Sequence, residues 1–542
     1  VADCRKRITR LLVPLTALVH VAGCRCGDAN VAVAARIEPS PLHAGEAPRC
    51  VAPGAQVVWM DGPRELGPGP AWPAGVPLPA AGMVTCRAVW PDHTEEVRAA
   101  VSGSSRAAMP PNLLILLGDD IGADQLTAFS REKVAAPTPV LDQLAAQGIA
   151  FQRAYAASFC SPTRAMLLTG RYPRRSGVGT GVHPGSTEPD LPAAEVLLPE
   201  LLTHAPRFWD SSAIGKWHLT APLAEAWRAP LDQGFRWWAG TPGNLSDDLG
   251  PQAEHQSYFS WLKSTNGVVA RAEGYATTDE VNDAIARTQV MSEPWLMYVA
   301  FHAAHTPLHQ PPRELLPPGA EGRSEGQLYD EMVAALDHEI GRLLDSMDPE
   351  LRARTIVVFL GDNGTSAGGA ESEDDRVKGS LFEGGIRVPL IVAGPGVAVG
   401  RSEALVDATD VWATVAELAG VTLPVRREDG SEVIHDGTSF VPYFADPALP
   451  TLRRWAWAEQ LGPSGCVPGS CRTERVALIG TRFKMTVDEV AGTTTMVDLQ
   501  KDPGERHPLD PGAEGSRGKA IWADMQAEVE RWRARLGADL QR

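Results

Sequence analysis

Two apolar runs of strand length end in the same way, and that repetition limits the fold more than any other feature of the sequence. Leu113-Leu114-Ile115-Leu116-Leu117 runs into Gly118-Asp119-Asp120, and Ile356-Val357-Val358-Phe359-Leu360 runs into Gly361-Asp362-Asn363-Gly364. A continuous apolar run without polar alternation is what a strand covered on both faces requires, so a sheet with helices on each side is expected. Open α/β sheets hold ligands beyond the carboxyl ends of their strands, where both acidic motifs fall. Adjacent carboxylates repel unless a cation lies between them. Asp119, Asp120, Asp362 and Asn363 offer oxygen atoms only, a set that suits Ca2+ over Zn2+, with Mg2+ the poorer match. An acidic pair after a strand also suits the start of the next helix, a reading that needs no ion.

Three further stretches carry chemistry. In Phe159-Cys160-Ser161-Pro162-Thr163-Arg164, Pro162 has a fixed backbone angle and no amide donor, which fits the first turn of a helix continued by Ala165 to Leu168. Cys160 then stands at a helix N-terminus with Arg164 one turn on, and unpaired amides and guanidinium both favour an anion there. A buried cysteine before an ordinary helix accounts for the same residues without chemistry. Gly215-Lys216-Trp217-His218-Leu219 sets Lys216 and His218 two apart, so an extended or turn backbone aims both into one pocket. The apolar run Trp295 to Phe301 reads as another core strand and delivers His302 and His305. Residues 328 to 346 have the apolar rhythm of a packing helix.

Cys160-x-Pro162-x-Arg164 followed by Leu168-Thr169-Gly170-Arg171, together with Gly215 to Leu219 and Lys378 to Pro389, resembles the signatures of the type I sulfatases. The resemblance covers about residues 108 to 510. It implies an α/β fold, a large mixed sheet flanked by helices of alkaline-phosphatase-like type, with a smaller C-terminal α+β subdomain. It implies that a formylglycine-generating enzyme oxidises Cys160 to Cα-formylglycine. It further implies that Asp119, Asp120, Asp362, Asn363 and the side chain at 160 ligate calcium, while Arg164, Lys216, His218, His305 and Lys378 complete the catalytic set. His305 is preferred to His302 because the family's histidine stands just before a short x-Pro segment. Glu383 and Arg387 are expected to brace their loop as an ion pair. The implied reaction is hydrolysis of a sulfate ester to an alcohol or phenol plus inorganic sulfate. Hydrolysis of phosphate or phosphonate esters on the same scaffold, and noncatalytic binding of sulfated carbohydrate, are the alternatives.

The flanks read differently. Arg5, Lys6, Arg7 and Arg10 precede an apolar run from Leu11 to Ala22, the order of an export signal, and Val21-Ala22-Gly23-Cys24 resembles a bacterial lipobox. Residues 1–24 are thus expected to direct export, with Cys24 carrying a lipid anchor or with simple secretion, to the periplasm or cell surface. Residues 27–105 alternate short β-prone pieces with Pro/Gly-rich turns, and a cysteine on either side of Trp59 suggests a small immunoglobulin-like module. The catalytic domain is expected at 108–449 and the C-terminal subdomain at 450–542. Cys50 with Cys86 and Cys466 with Cys471 are the natural disulfide pairs, which would fit an oxidising compartment. Trp237, Trp238 and Tyr258 are candidates for stacking on a sugar or ring. The formal charge of −17 argues against a nucleic-acid partner.

Overall fold

Both acidic motifs end neighbouring strands of one sheet. The computed structural model describes strands between residues 36 and 102, largely by their backbone, and residues 109–539 apart from 131–135, 187–189, 248, 250–255, 321, 323, 370–375, 428, 463–471 and 511–515. The main sheet has eleven strands among the described residues. In chain order they are β1 (Asn112–Gly118), β2 (Ile149–Tyr155), β3 (Asp210–Lys216), β4 (Trp237–Thr241), β5 (Ser260–Thr265) and β6 (Val268–Glu273). There follow β7 (Trp295–Ala300), β8 (Thr355–Gly361), β9 (Arg387–Val388), β10 (Leu390–Ala393) and β11 (Gly400–Asp407). The spatial order is β6-β5-β4-β3-β7-β1-β8-β10-β2-β9, with β11 also on β2.

The middle five strands, β4-β3-β7-β1-β8, run parallel, so their carboxyl ends share one edge. Register then does the positioning. β1 pairs with β8 from Asn112 opposite Thr355 to Gly118 opposite Gly361, which sets the two Gly-Asp motifs side by side. Every residue of β1, β7 and β8 is buried, as continuous apolar runs predict.

The two faces of β1 divide by the period of two. Leu113, Ile115 and Leu117 join a core with α2 (Cys160–Thr169) and α5 (Asp410–Ala419), including Leu167 and Trp412. Leu114 and Leu116 join the opposite core with α1 (Pro139–Gln147), α3 (Ala276–Thr288) and α4 (Glu325–Ser346). Burying one such side chain stabilises the fold by about 1.5–3 kcal/mol relative to leaving it exposed. α4 matches the helix expected at 328 to 346 and starts at Ser324, whose hydroxyl accepts the Gln327 amide in a capping box.

Two expectations need correction. The smaller unit is a β-sheet of four antiparallel strands, β12 (Ala456–Gly462), β13 (Arg472–Ile479), β14 (Phe483–Asp488) and β15 (Thr493–Asp498), and it follows the main domain. It is not a separate α+β layer, because Trp457, Leu478, Met485 and Met496 bury into the main core. Met525, Val529 and Trp532 of α6 (Ser516–Asp539) join them there. The immunoglobulin-like module expected ahead of the catalytic body is not part of this fold: the smaller subdomain lies after the main domain. The strands between 36 and 102 pair as a two-stranded and a five-stranded sheet, and no core between them is established among the described residues. The second correction concerns disulfides. Neither expected pairing is shown among the described residues: Cys86 is disulfide-bonded, but Cys466, Cys471 and the side chain of Cys50 lie outside the described residues, and Cys160 is a free thiol. The export signal and Cys24 also lie outside the described residues. No helix among the described residues is long and apolar enough to cross a membrane.

Candidate active site

Because the central strands are parallel, four segments leave the sheet at one edge: Asp119-Asp120 after β1, Lys216 at the end of β3, His302 to His305 after β7, and Asp362-Asn363 after β8. The motif glycine before Lys216 is required by close approach. Gly215 has φ +93°, and a Cβ there would lie 2.0 Å from the Ala300 carbonyl oxygen. Asp120 and His218 both sit in the left-handed region, at φ 62°, a conformation that costs a non-glycine residue stability and that surrounding contacts must hold.

Hydrogen bonds knit the acidic motifs together. The Asp120 amide donates to Asp362 Oδ1 at 3.0 Å, the Asp362 amide to the Gly118 carbonyl at 3.0 Å, and Asn363 Nδ2 to Asp120 Oδ1 at 2.9 Å. Arg164, fully buried one turn into α2, donates to Asp362 Oδ2 at 2.8 Å, to Asp119 Oδ2 at 3.3 Å and to the Lys216 carbonyl at 2.7 Å. Lys216 Nζ lies 2.5 Å from Asp119 Oδ2, and Lys378 Nζ lies 2.5 Å from Asp120 Oδ1 and 3.8 Å from Cys160 Sγ. The structure therefore gathers Asp119, Asp120, Asp362, Asn363, Cys160, Arg164, Lys216 and Lys378 at one place.

Asp119, Asp120, Cys160 and His305 form a potential metal-binding cluster, their ligand atoms all within 4.8 Å of one another. Two buried acceptors, Asp119 Oδ1 and Asn363 Oδ1, have no hydrogen-bond partner, which is unusual for buried polar atoms and fits a cation's demand for oxygen. Both oxygens of Asp362 are engaged, by the Asp120 amide and by Arg164.

Electrostatics follow from burial and crowding. Burial alone would raise the Asp119 carboxyl, but Lys216, His305 and Arg164 hold it well below the usual range. Burial, reinforced by Asp119, pushes Asp362 up to about 7. Burial likewise pushes the Cys160 thiol up to about 11 against the pull of Lys216 and Lys378, so the unmodified side chain is a neutral thiol at neutral pH. Burial, followed by Lys216, depresses both His218 and His305.

The two histidines after β7 are separated by their surroundings. His302 is buried, with Nδ1 2.5 Å from Glu280 and Nε2 2.7 Å from Thr241 Oγ1. His305 stands in the acidic cluster; its Nδ1 donates to the Thr306 carbonyl at 2.9 Å, leaving Nε2 toward other partners. His218 is buried with neither ring nitrogen bonded.

Sequence reasoning missed the groups that hold the loops. The Tyr258 hydroxyl lies 2.5 and 2.7 Å from the carbonyl oxygens of His302 and His305, which share its one proton, and Tyr329 donates to the Asp120 carbonyl at 2.6 Å. Tyr258 and Trp238 are core residues rather than stacking platforms. Glu383 lies 3.6 Å from Lys484, while Arg387 donates to the carbonyls of Gln152 and Phe129.

The chain matches the family model Sulfatase over residues 111–421. It is 30% identical over 476 residues to arylsulfatase A of Homo sapiens, covering 79% of this chain and 89% of that protein. It is 30% identical over 463 residues to N-acetylgalactosamine-6-sulfatase of Homo sapiens, covering 75% and 83%. Among solved structures, Ps i-CgsB in complex with k-i-k-neocarrahexaose shares the fold with TM-score 0.64 at 24% identity, over 78% of this chain and 92% of that one.

Proposed function

The chain belongs to the sulfatase family and hydrolyses sulfate esters; from that premise we propose how its own residues do so. Cys160, oxidised to formylglycine by a dedicated enzyme, supplies the nucleophile; Asp119, Asp120, Asp362, Asn363 and the modified side chain hold Ca2+; Arg164, Lys216, His218, His305 and Lys378 act on the ester. The observation that carries this reading is the convergence of three carboxylates, three cationic side chains and Cys160 at one sheet edge, with two buried oxygen acceptors left without partners. Those formal charges cancel, so a dication restores the positive field that a sulfate ester needs. When bound, Ca2+ acidifies the nucleophilic hydroxyl and neutralises sulfuryl oxygens.

The aldehyde at position 160 hydrates to a geminal diol. One diol hydroxyl releases its proton to solvent and its oxygen attacks sulfur; the bond from sulfur to the leaving oxygen breaks, and His305, carrying a second proton taken up from solvent, gives that oxygen the proton from Nε2, with Lys378 beside it. Arg164, Lys216 and Lys378 stabilise charge on the sulfuryl oxygens. His218 then takes the proton of the remaining hydroxyl, the carbon–oxygen bond to sulfate breaks, and the aldehyde returns. A direct thiolate attack would instead leave a sulfur adduct that needs a second nucleophile to clear.

The substrate class is proposed as a sulfated glycan or small molecule, in keeping with what the names of the relatives say of those proteins. Export through residues 1–24, with Cys24 lipidated, and the division at 105 and 450 belong to the same proposal. Mass spectrometry of protein from its native cell tests the nucleophile: residue 160 is expected about 18 Da lighter than cysteine. Parallel assays test the ester. A kcat/KM for matched phosphate esters far above that for sulfate esters would overturn the assignment.

A further inference from the structure

A second group of ligand atoms includes His218. His183, His218 and Asp247 each offer one donor, all within 4.8 Å of one another. Two imidazoles and a carboxylate make a set unlike the acidic cluster: imidazole nitrogen selects zinc-like cations over calcium and magnesium, and three such ligands leave a fourth position open.

Three features prepare the group for a metal. His218 is buried, its amide fixed to the Pro242 carbonyl at 2.9 Å, and both its ring nitrogens lack partners although they are removed from water. The Asp247 carboxylate is oriented from behind, with Oδ2 accepting the Asn244 amide at 2.6 Å and Oδ1 accepting Asn244 Nδ2 at 3.0 Å, the bracing that metal-ligating carboxylates require. His183 is exposed, and its ring stands edge-on to that of His218, with centroids 6.1 Å apart. Its backbone is anchored: the Val182 amide donates to Ser161 Oγ at 2.9 Å and the Ser186 amide to the His183 carbonyl at 3.0 Å. Ligand atoms around tetrahedral zinc stand about 3.3 Å apart, so the three donors, now within 4.8 Å of one another, must draw together to bind it.

We propose that His183, His218 and Asp247 form a cation site for zinc or a similar borderline metal, and that its occupation switches off the hydrolase by engaging His218. The inhibitory half rests on the proton role proposed above for His218; the binding half does not. Zinc on a ring nitrogen of His218 removes the lone pair that would accept the hydroxyl proton. Lys216 and the acidic cluster need not move.

The two halves are separable by experiment. Full-length Cys160→Ala protein, in which a thiol cannot bind zinc, is titrated with Zn2+ in Ca2+-containing buffer against a chromophoric zinc indicator. One zinc per chain is expected, weakened about tenfold or more by His183→Ala or Asp247→Asn. In formylglycine-bearing enzyme, Zn2+ is expected to reduce turnover of a sulfate ester. The same two variants should keep activity in zinc-free buffer and need about tenfold more Zn2+ for half inhibition. Unchanged zinc affinity in the double variant would overturn the site. Zinc bound with variant-sensitive affinity while turnover continues would overturn the switch and the proton role of His218 together, leaving the sulfatase assignment intact.

Discussion

At the scale of single residues, the site depends on cations that are held by carboxylates before any substrate arrives. Lys378 shows how the two tasks divide. Its ammonium bridges Asp120 and Cys160 while its side chain keeps 17% exposure, so it contributes little to the core and much to the charge beside position 160. Lys378→Ala is therefore expected to lower kcat about 10²–10³-fold, the cost of deleting one preorganised donor, with little change in the urea unfolding midpoint. Steady-state kinetics with a sulfate ester check this, and a kcat within threefold of the parent would remove Lys378 from the chemistry. Lys378, Lys216, Cys160 and the acidic residues were legible because short motifs carry them. Tyr258 was not. Its hydroxyl reaches carbonyls more than forty residues away in sequence, and no local spacing marks a phenol for that purpose.

At the scale of elements, the parallel strands were legible and the mixed edge was not. β1, β7 and β8 declare themselves through unbroken apolar runs, which only a doubly covered strand tolerates. β9 and β10 are two and four residues long, and their antiparallel pairing with β2 comes from long-range contacts that no propensity records. The same holds where α4 meets α1. Asp337 of α4 accepts the amides of Val140 and Leu141 at 3.0 and 2.8 Å, an N-terminal cap supplied from another helix. Burial raises its carboxyl to about 6 despite those bonds. A folded-state value above the unfolded one means that the folded protein binds the proton more tightly. This contribution to stability is full below the ordinary carboxylate range and is lost as pH rises through about 6. Asp337→Asn is expected to flatten the stability profile between about pH 4 and pH 6.5, read as urea midpoints at fixed temperature. A variant whose profile keeps the parent's slope there would assign that slope to other groups.

At the scale of the whole molecule, two charge balances act in opposite directions. Within the site, Arg164, Lys216 and Lys378 offset Asp119, Asp120 and Asp362, so removal of a bound dication should cost both turnover and the hold on anions. Chelation is expected to abolish sulfate-ester hydrolysis and weaken inhibition by inorganic sulfate together, with Ca2+ restoring both. Recovery of turnover without recovery of sulfate inhibition would show that the cation does not face the sulfuryl oxygens. Outside the site the formal charge is −17, which repels a polyanion before it reaches any of these residues. A repulsive long-range field slows association, and salt relieves it once the Debye length falls to about 10 Å near 0.1 M. For a polysulfated glycan, kcat/KM is therefore expected to rise several-fold between about 0.02 and 0.2 M salt, whereas an aryl ester with a single sulfate should respond weakly. If kcat/KM for the glycan instead falls over that range, a local basic surface outweighs the net charge. The loops bearing it would then be the place where this enzyme selects its polymer.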